Sequence, residues 1–126
     1  MKLKSLILLA GAVGALSLGI RDTVAADCDL ELGKKVFAKC ATCHTNDASG
    51  AHLVGPNLHG VVGRKAATAP EFYYSPAFEQ LAFAWTEEEL DKFLENPMER
   101  VPGTMMAFAG IKDESQRKAV ICYMRQ

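Results

Sequence analysis

Apolar residues recur at helical spacing near both ends of the region beyond residue 26. Leu32 and Val36 lie four apart, and Phe37 falls four after Gly33. This predicts a helix over Asp29 to Lys39. Near the other end Ile121 and Met124 lie three apart, behind Asp113, a capping residue. This predicts a last helix reaching Met124. Between them, Thr86-Glu87-Glu88-Glu89 is a capping box that opens a helix running to about Glu95. Asn96-Pro97 closes it, because the residue before proline is pushed out of helical geometry. Ser75 to Leu81 suits a short helix, and Pro102-Gly103 opens a loop. Residues 41 to 70 show no strand alternation, and Gly50, Gly55, Pro56, Gly60, Gly63 and Pro70 interrupt any period. The expectation is an all-α domain of three main helices joined by long loops. In so small a domain, long loops need something to pack around.

One apolar block breaks this pattern. Ser5 to Ile20 is uncharged over 16 residues and follows Lys2 and Lys4. It is shorter than the ~20 residues of a membrane span, and Val24-Ala25-Ala26 offers small residues before Asp27. Residues 1–26 therefore read as a signal peptide and 27–126 as the mature domain. An uncleaved anchor is the alternative.

The 126 residues carry 14 basic and 15 acidic side chains, a net charge of −1. Nothing in that balance suggests nucleic-acid binding. Without the leader, three basic residues and one acidic residue go, leaving 11 basic, 14 acidic and a net charge of −3. About 100 residues bury only a modest core, so a prosthetic group, a metal or a disulfide would help.

Cys40-Ala41-Thr42-Cys43-His44 carries the chemistry. Cys-x-x-Cys-His is the pattern of c-type haem attachment. The two thiols add across haem vinyl groups, and the histidine offers an imidazole nitrogen to the iron. A thioredoxin-like pair would need a βαβ setting, a zinc site would need a second pair, and a plain disulfide is the third alternative. Haem iron takes a sixth ligand, and thioether sulfur raises the potential. Spacing alone leaves both Met105 and Met106 open. Met124 reads as a gap-filler in the core.

The chain resembles class I cytochromes c, close to the mitochondrial proteins and bacterial cytochromes c₂. The matching segments are Gly33 to Phe37, Cys40 to His44, Gly55 to Gly60, Gly63 to Lys65, Trp85, Leu94 to Pro97, Pro102 to Thr104 and Phe108 to Lys112. They span nearly all of the mature region without a gap. The resemblance implies three main helices plus short helices, wrapped with long loops around one covalent haem c. It implies Met106 as the iron-binding methionine, with His44 opposite. It also implies that the Pro56 carbonyl holds the His44 N–H, and that Arg64, Tyr74 and Trp85 handle the haem propionates. Gly33 and Tyr123 would mark a close crossing of the first and last helices, and Phe37 and Phe108 would pack at the haem edge. That crossing would bring Cys28 and Cys122 together as a disulfide. His52 and His59 read as structural or surface residues.

Three features depart from the family. Phe93 stands where a tyrosine hydroxyl usually reaches the methionine sulfur. Cys28 and Cys122 are additional. Lys34, Lys39 and Lys112 keep part of the family's docking ring of cations, but Met98, Glu99, Met105 and Asp113 replace others. The resemblance implies a monomeric periplasmic electron carrier rather than an enzyme. Its implied partners are a quinol-oxidising cytochrome complex, a terminal oxidase, a photosynthetic reaction centre or a periplasmic dehydrogenase. A weak peroxidase or gas binder is the alternative, should Met106 leave the iron.

Overall fold

The computed structural model describes residues 28–126. The expected leader, 1–26, and its cleavage point lie outside the described residues. Five helices follow one another: α1 (Leu30–Phe37), α2 (Pro76–Glu79), α3 (Glu87–Glu95), α4 (Pro97–Arg100) and α5 (Glu114–Met124). The described residues form no strand; a single isolated bridge joins Lys65 and Ala84.

Each long helix begins at an acceptor side chain placed to satisfy an orphan backbone N–H. Asp29 accepts from the Leu32 N–H at 2.8 Å, Thr86 from Glu89 at 3.2 Å and Asp113 from Gln116 at 2.9 Å. α1 ends two residues before the expected Lys39. There the backbone tightens to three-residue closures, Lys39 N–H to the Val36 carbonyl at 3.1 Å and Cys40 N–H to Phe37 at 2.8 Å. α2 is a single turn inside the expected 75–81.

The capping box at Thr86 is half made. The Glu89 carboxylate does not return to the Thr86 N–H; it is bound by Arg100, and the Thr86 N–H donates to Ala84 instead. A long-range charged partner has displaced a local one. α4 is a turn that the sequence pattern did not suggest. Pro97 stops α3 but suits the first position of a new turn, where its missing N–H has no partner to lose. Val101 N–H closes that turn on the Pro97 carbonyl at 2.9 Å.

The core lies where α1 crosses α5. A Cβ at Gly33 would strike the Ala119 carbonyl and sit 2.8 Å from Tyr123 Cβ, so only glycine permits this approach. Phe37 and Tyr123 pack with ring centroids 5.3 Å apart. Val36, Val120, Ile121 and Met124 fill the junction, and Leu90, Phe93 and Leu94 extend it along α3. The structure pairs Cys28 with Cys122 beside this crossing, their Cα atoms 5.9 Å apart, within the span of a disulfide. Buried Arg117 joins α5 to α3. It donates to Asp91 at 2.7 Å and to the Ile111 and Lys112 carbonyls, each at 3.0 Å.

Residues 101–112 are hooked back onto the end of α3. Ile111 N–H donates to Leu94 at 2.7 Å, and Lys112 Nζ to the Glu95 carbonyl at 2.6 Å. Gly110 has φ +92°, and a Cβ there would crowd the Leu94 and Glu95 carbonyls. The turn therefore requires glycine on both counts.

Candidate functional site

Cys40 to His44 form a tight coil continuing from α1. Cys43 and His44 donate their N–H groups to the Cys40 carbonyl at 3.0 and 2.9 Å. Cys40 and Cys43 are unbridged and half-buried. Burial raises the Cys40 thiol above its ordinary range, and the neighbouring Lys39 charge opposes that shift.

His44 is held from two sides. Its Nδ1 lies 2.7 Å from the Pro56 carbonyl. A carbonyl only accepts, so Nδ1 carries the proton and Nε2 keeps its lone pair. Gly55 backs the ring: a Cβ there would come within 2.6 Å of Nδ1 and 2.7 Å of Nε2. Burial lowers the affinity of His44 for a second proton, with the Pro56 bond opposing. The site thus presents a neutral, oriented imidazole.

The supporting loops are fastened above all by Asn57, a residue that sequence patterns did not single out. Buried Asn57 donates to Thr45 Oγ1 at 2.8 Å and to the Asp47 carbonyl at 3.0 Å, and accepts from the His59 N–H at 2.8 Å. His52 is structural. Its Nδ1 accepts from the Asn57 N–H at 2.9 Å, so Nε2 donates to the Pro70 carbonyl at 2.7 Å. His59 is exposed. Arg64 donates to the His59 and Asn57 carbonyls at 3.1 and 3.0 Å. The Tyr74 hydroxyl accepts from the Ala69 N–H at 3.2 Å. Trp85 is buried among Phe78, Phe83 and Phe93, with ring centroids 6.2, 5.0 and 5.0 Å away.

The two methionines left open by spacing differ sharply here. Met105 is 83% exposed. Met106 is half-buried against the core, and its N–H donates to Thr104 Oγ1 at 3.2 Å. Phe108, Leu58, Val62 and Phe83 likewise pack on the core while remaining partly uncovered. Among the described residues, Ser75 Oγ and Asn46 Oδ1 are buried without a hydrogen-bond partner.

These residues fit a haem. Two thiols three positions apart suit its vinyl groups. A neutral imidazole and a thioether suit its iron. The partly uncovered apolar side chains suit its faces, and the orphan Ser75 hydroxyl can donate to a carboxylate.

A family model described as cytochrome c matches residues 30–126. Cytochrome c of Euglena viridis is 47% identical over 98 residues, covering 77% of this chain and 95% of the relative. Cytochrome c of Chlamydomonas reinhardtii is 43% identical over 99 residues, covering 78% and 88%. The solved structure of cytochrome cH from Methylobacterium extorquens superposes with a TM-score of 0.72 at 37% identity, covering 76% of this chain and 96% of that one. Helical content and these likenesses together define a class I cytochrome c fold. The chain belongs to the cytochrome c family. Its cofactor is accordingly one covalently attached haem c, and its class is electron carrier rather than enzyme.

Proposed function

We propose that the chain is exported, loses residues 1–26 and carries single electrons in the periplasm, with Cys40 and Cys43 binding the haem covalently and His44 and Met106 holding its iron. The bound haem supplies a ferric–ferrous couple. The remainder is the work of the chain. Pro56 and Gly55 fix the His44 ring before any ligand arrives, so little reorganisation accompanies a change of charge. The hook of residues 101–112 onto α3 positions Met106. The Phe78, Phe83, Trp85 and Phe93 rings make an apolar wall that excludes water. Arg64, Tyr74, Trp85 and Ser75 are the N–H and O–H donors assigned to the propionates in this reading. Cys28 and Cys122 form a disulfide suited to an oxidising compartment.

The observation that carries this reading is the His44–Pro56 clasp at 2.7 Å with Gly55 against the ring. It leaves Nε2 as the ligating atom, as carbonyl partners of metal-bound histidines do. No helix among the described residues is long and apolar enough to cross a membrane. Suitable donors and acceptors are a quinol-oxidising cytochrome complex, a terminal oxidase, a photosynthetic reaction centre or a periplasmic dehydrogenase, met transiently by a monomer.

Ferric absorption spectra test the ligand set. The methionine–iron charge-transfer band is expected in the native protein and in Met105→Ala, and lost in Met106→Ala. Loss in Met105→Ala with retention in Met106→Ala would overturn the assignment. Carbon monoxide binding by the native ferrous protein would point to a gas binder or weak peroxidase instead.

A further inference from the structure

The Cys28–Cys122 pair has two unlike ends. Cys122 is a buried residue of α5, 8% exposed. Cys28 lies just ahead of Asp29, the cap of α1, and is half-exposed. A thiol in solution therefore has its access from the Cys28 side.

The charges differ in the same sense. Arg125, immediately beyond α5, donates from Nη2 to Cys122 Sγ at 3.3 Å. Glu87, at the start of α3, accepts from Nη1 of the same guanidinium at 2.7 Å and so holds it in place. Cys28 is instead followed by the Asp29 carboxylate. The carbonyl end of α5 opposes an anion on Cys122. However, the Arg125 N–H closes on the Ile121 and Cys122 carbonyls at 3.1 and 3.2 Å, and its guanidinium touches the sulfur directly. Thiol–disulfide exchange is fastest where the attacked sulfur is accessible and the departing thiol is acidic. A cation beside a cysteine supplies that acidity.

We propose that the Cys28–Cys122 bond is an exchange site for thiols, attacked by a thiolate at Cys28 Sγ, with Cys122 leaving as a thiolate on the Arg125 guanidinium. The proposal rests on the reading of these two cysteines as bridged. With a dithiol reductant the reaction balances. One thiolate of the reductant bonds to Cys28 Sγ, and the electron pair of the broken bond passes to Cys122 Sγ. The second thiol of the reductant then loses its proton and attacks the reductant's own sulfur in the mixed disulfide, releasing Cys28. The protein gains two electrons and two protons, and the reductant becomes a disulfide. A monothiol stops at the first step, with a mixed disulfide on Cys28 and a thiol at Cys122.

The test uses haem-loaded protein kept ferrous, so that the electrons of the reagent go to sulfur alone. In that protein Cys40 and Cys43 are thioethers and take no part. Excess glutathione followed by acid quench and fragment mass spectrometry locates the adduct. It is expected on Cys28, and an adduct on Cys122 overturns the proposal. Opening by dithiothreitol is expected to be proportional to reagent concentration in the folded protein. A rate that levels off, or no opening short of denaturation, means that the bond reacts only through unfolding and overturns it too. Arg125→Gln should slow opening about tenfold, whereas Arg125→Lys, which keeps the charge, should stay within about threefold of native. A merely structural role for Arg125 acts the other way, because a loosened end uncovers Cys122 and speeds exchange. An unchanged or faster rate in Arg125→Gln therefore refutes the assignment. Maleimide labelling of the denatured, unreduced native protein separates the two levels. Two free thiols refute the bridge itself, whereas no free thiol together with any of the contrary results above refutes the exchange site alone.

Discussion

Replacing Gly33 by alanine pits two known effects against each other at one position. Alanine is favoured over glycine inside a helix by about 1 kcal/mol. Against that, the added methyl would lie 2.8 Å from Tyr123 Cβ and press on the Ala119 carbonyl. Ordinary carbon contacts lie at about 3.5–4.0 Å, so α1 and α5 must part by roughly 1 Å. The obstacle is backbone and a Cβ, neither of which swings aside as the end of a long side chain would. A gap of that size forfeits a quarter to a half of the dispersion energy across it, here among Val36, Val120, Ile121 and Met124. Overpacking of this kind costs about 1–3 kcal/mol. The middle of that range less the helix gain leaves a net loss of about 1 kcal/mol, a fall in Tm of roughly 4–8 °C for a domain of this size. Thermal unfolding of the haem-loaded protein followed by circular dichroism measures it. Gly60→Ala is the control: its φ is +68° but no atom lies within 4 Å, so it should show only the cost of a left-handed backbone. A Gly33→Ala protein as stable as the native one, or more so, would show that the crossing yields and that helix propensity dominates.

Four further outcomes follow from named contacts. Cys28→Ser with Cys122→Ser should lower stability by up to about 4–5 kcal/mol from loop entropy; two titratable thiols in the denatured, unreduced native protein would refute the bridge. His52→Ala removes the hydrogen bonds to Asn57 and Pro70, each worth about 1 kcal/mol, and a denaturant midpoint that does not move would show that the loops hold without them. Asp113 lies below its ordinary value of 3.8 because Ser115 and then the Gln116 N–H donate to it. Its stabilisation is therefore complete above that value and lost as pH falls through the lowered one, so Asp113→Ala should destabilise at pH 7 and by progressively less in acid; a difference independent of pH would contradict this. Phe93→Tyr should shift the haem midpoint potential in a redox titration, and an unchanged potential would count against placing Phe93 beside the methionine sulfur.

What was legible in the sequence was local. Thr86 and Asp113 act within three residues of themselves, so the starts of α3 and α5 could be read from their caps, while the spacing of Leu32, Val36 and Phe37 located α1. The haem-attachment string was also legible, because its chemistry depends on spacing along five consecutive residues. Contacts that depend on the folded chain were not. The competition of Arg100 for Glu89 runs across 11 positions, and the His52–Pro70 clasp across 18. α4 was missed because Pro97 is both a stop for one helix and a permitted start for the next. The roles of Gly55 and Asn57 arise only once His44 and the 45–59 loop are in place. Met105 and Met106 are chemically identical neighbours, and it is exposure, a property of the fold, that distinguishes them.

The Cys28–Cys122 pairing also has a mechanical side. With the bridge closed, tension applied at the two ends of the domain passes from one sulfur to the other, across a span of 94 positions that stays slack. An unfolding machine that reached Cys28 or Cys122 along the chain would meet a closed ring there and would have to draw two strands abreast through its pore. The domain would then resist being dragged apart from its ends even where heat or denaturant could melt it, and reduction of one bond would remove that resistance.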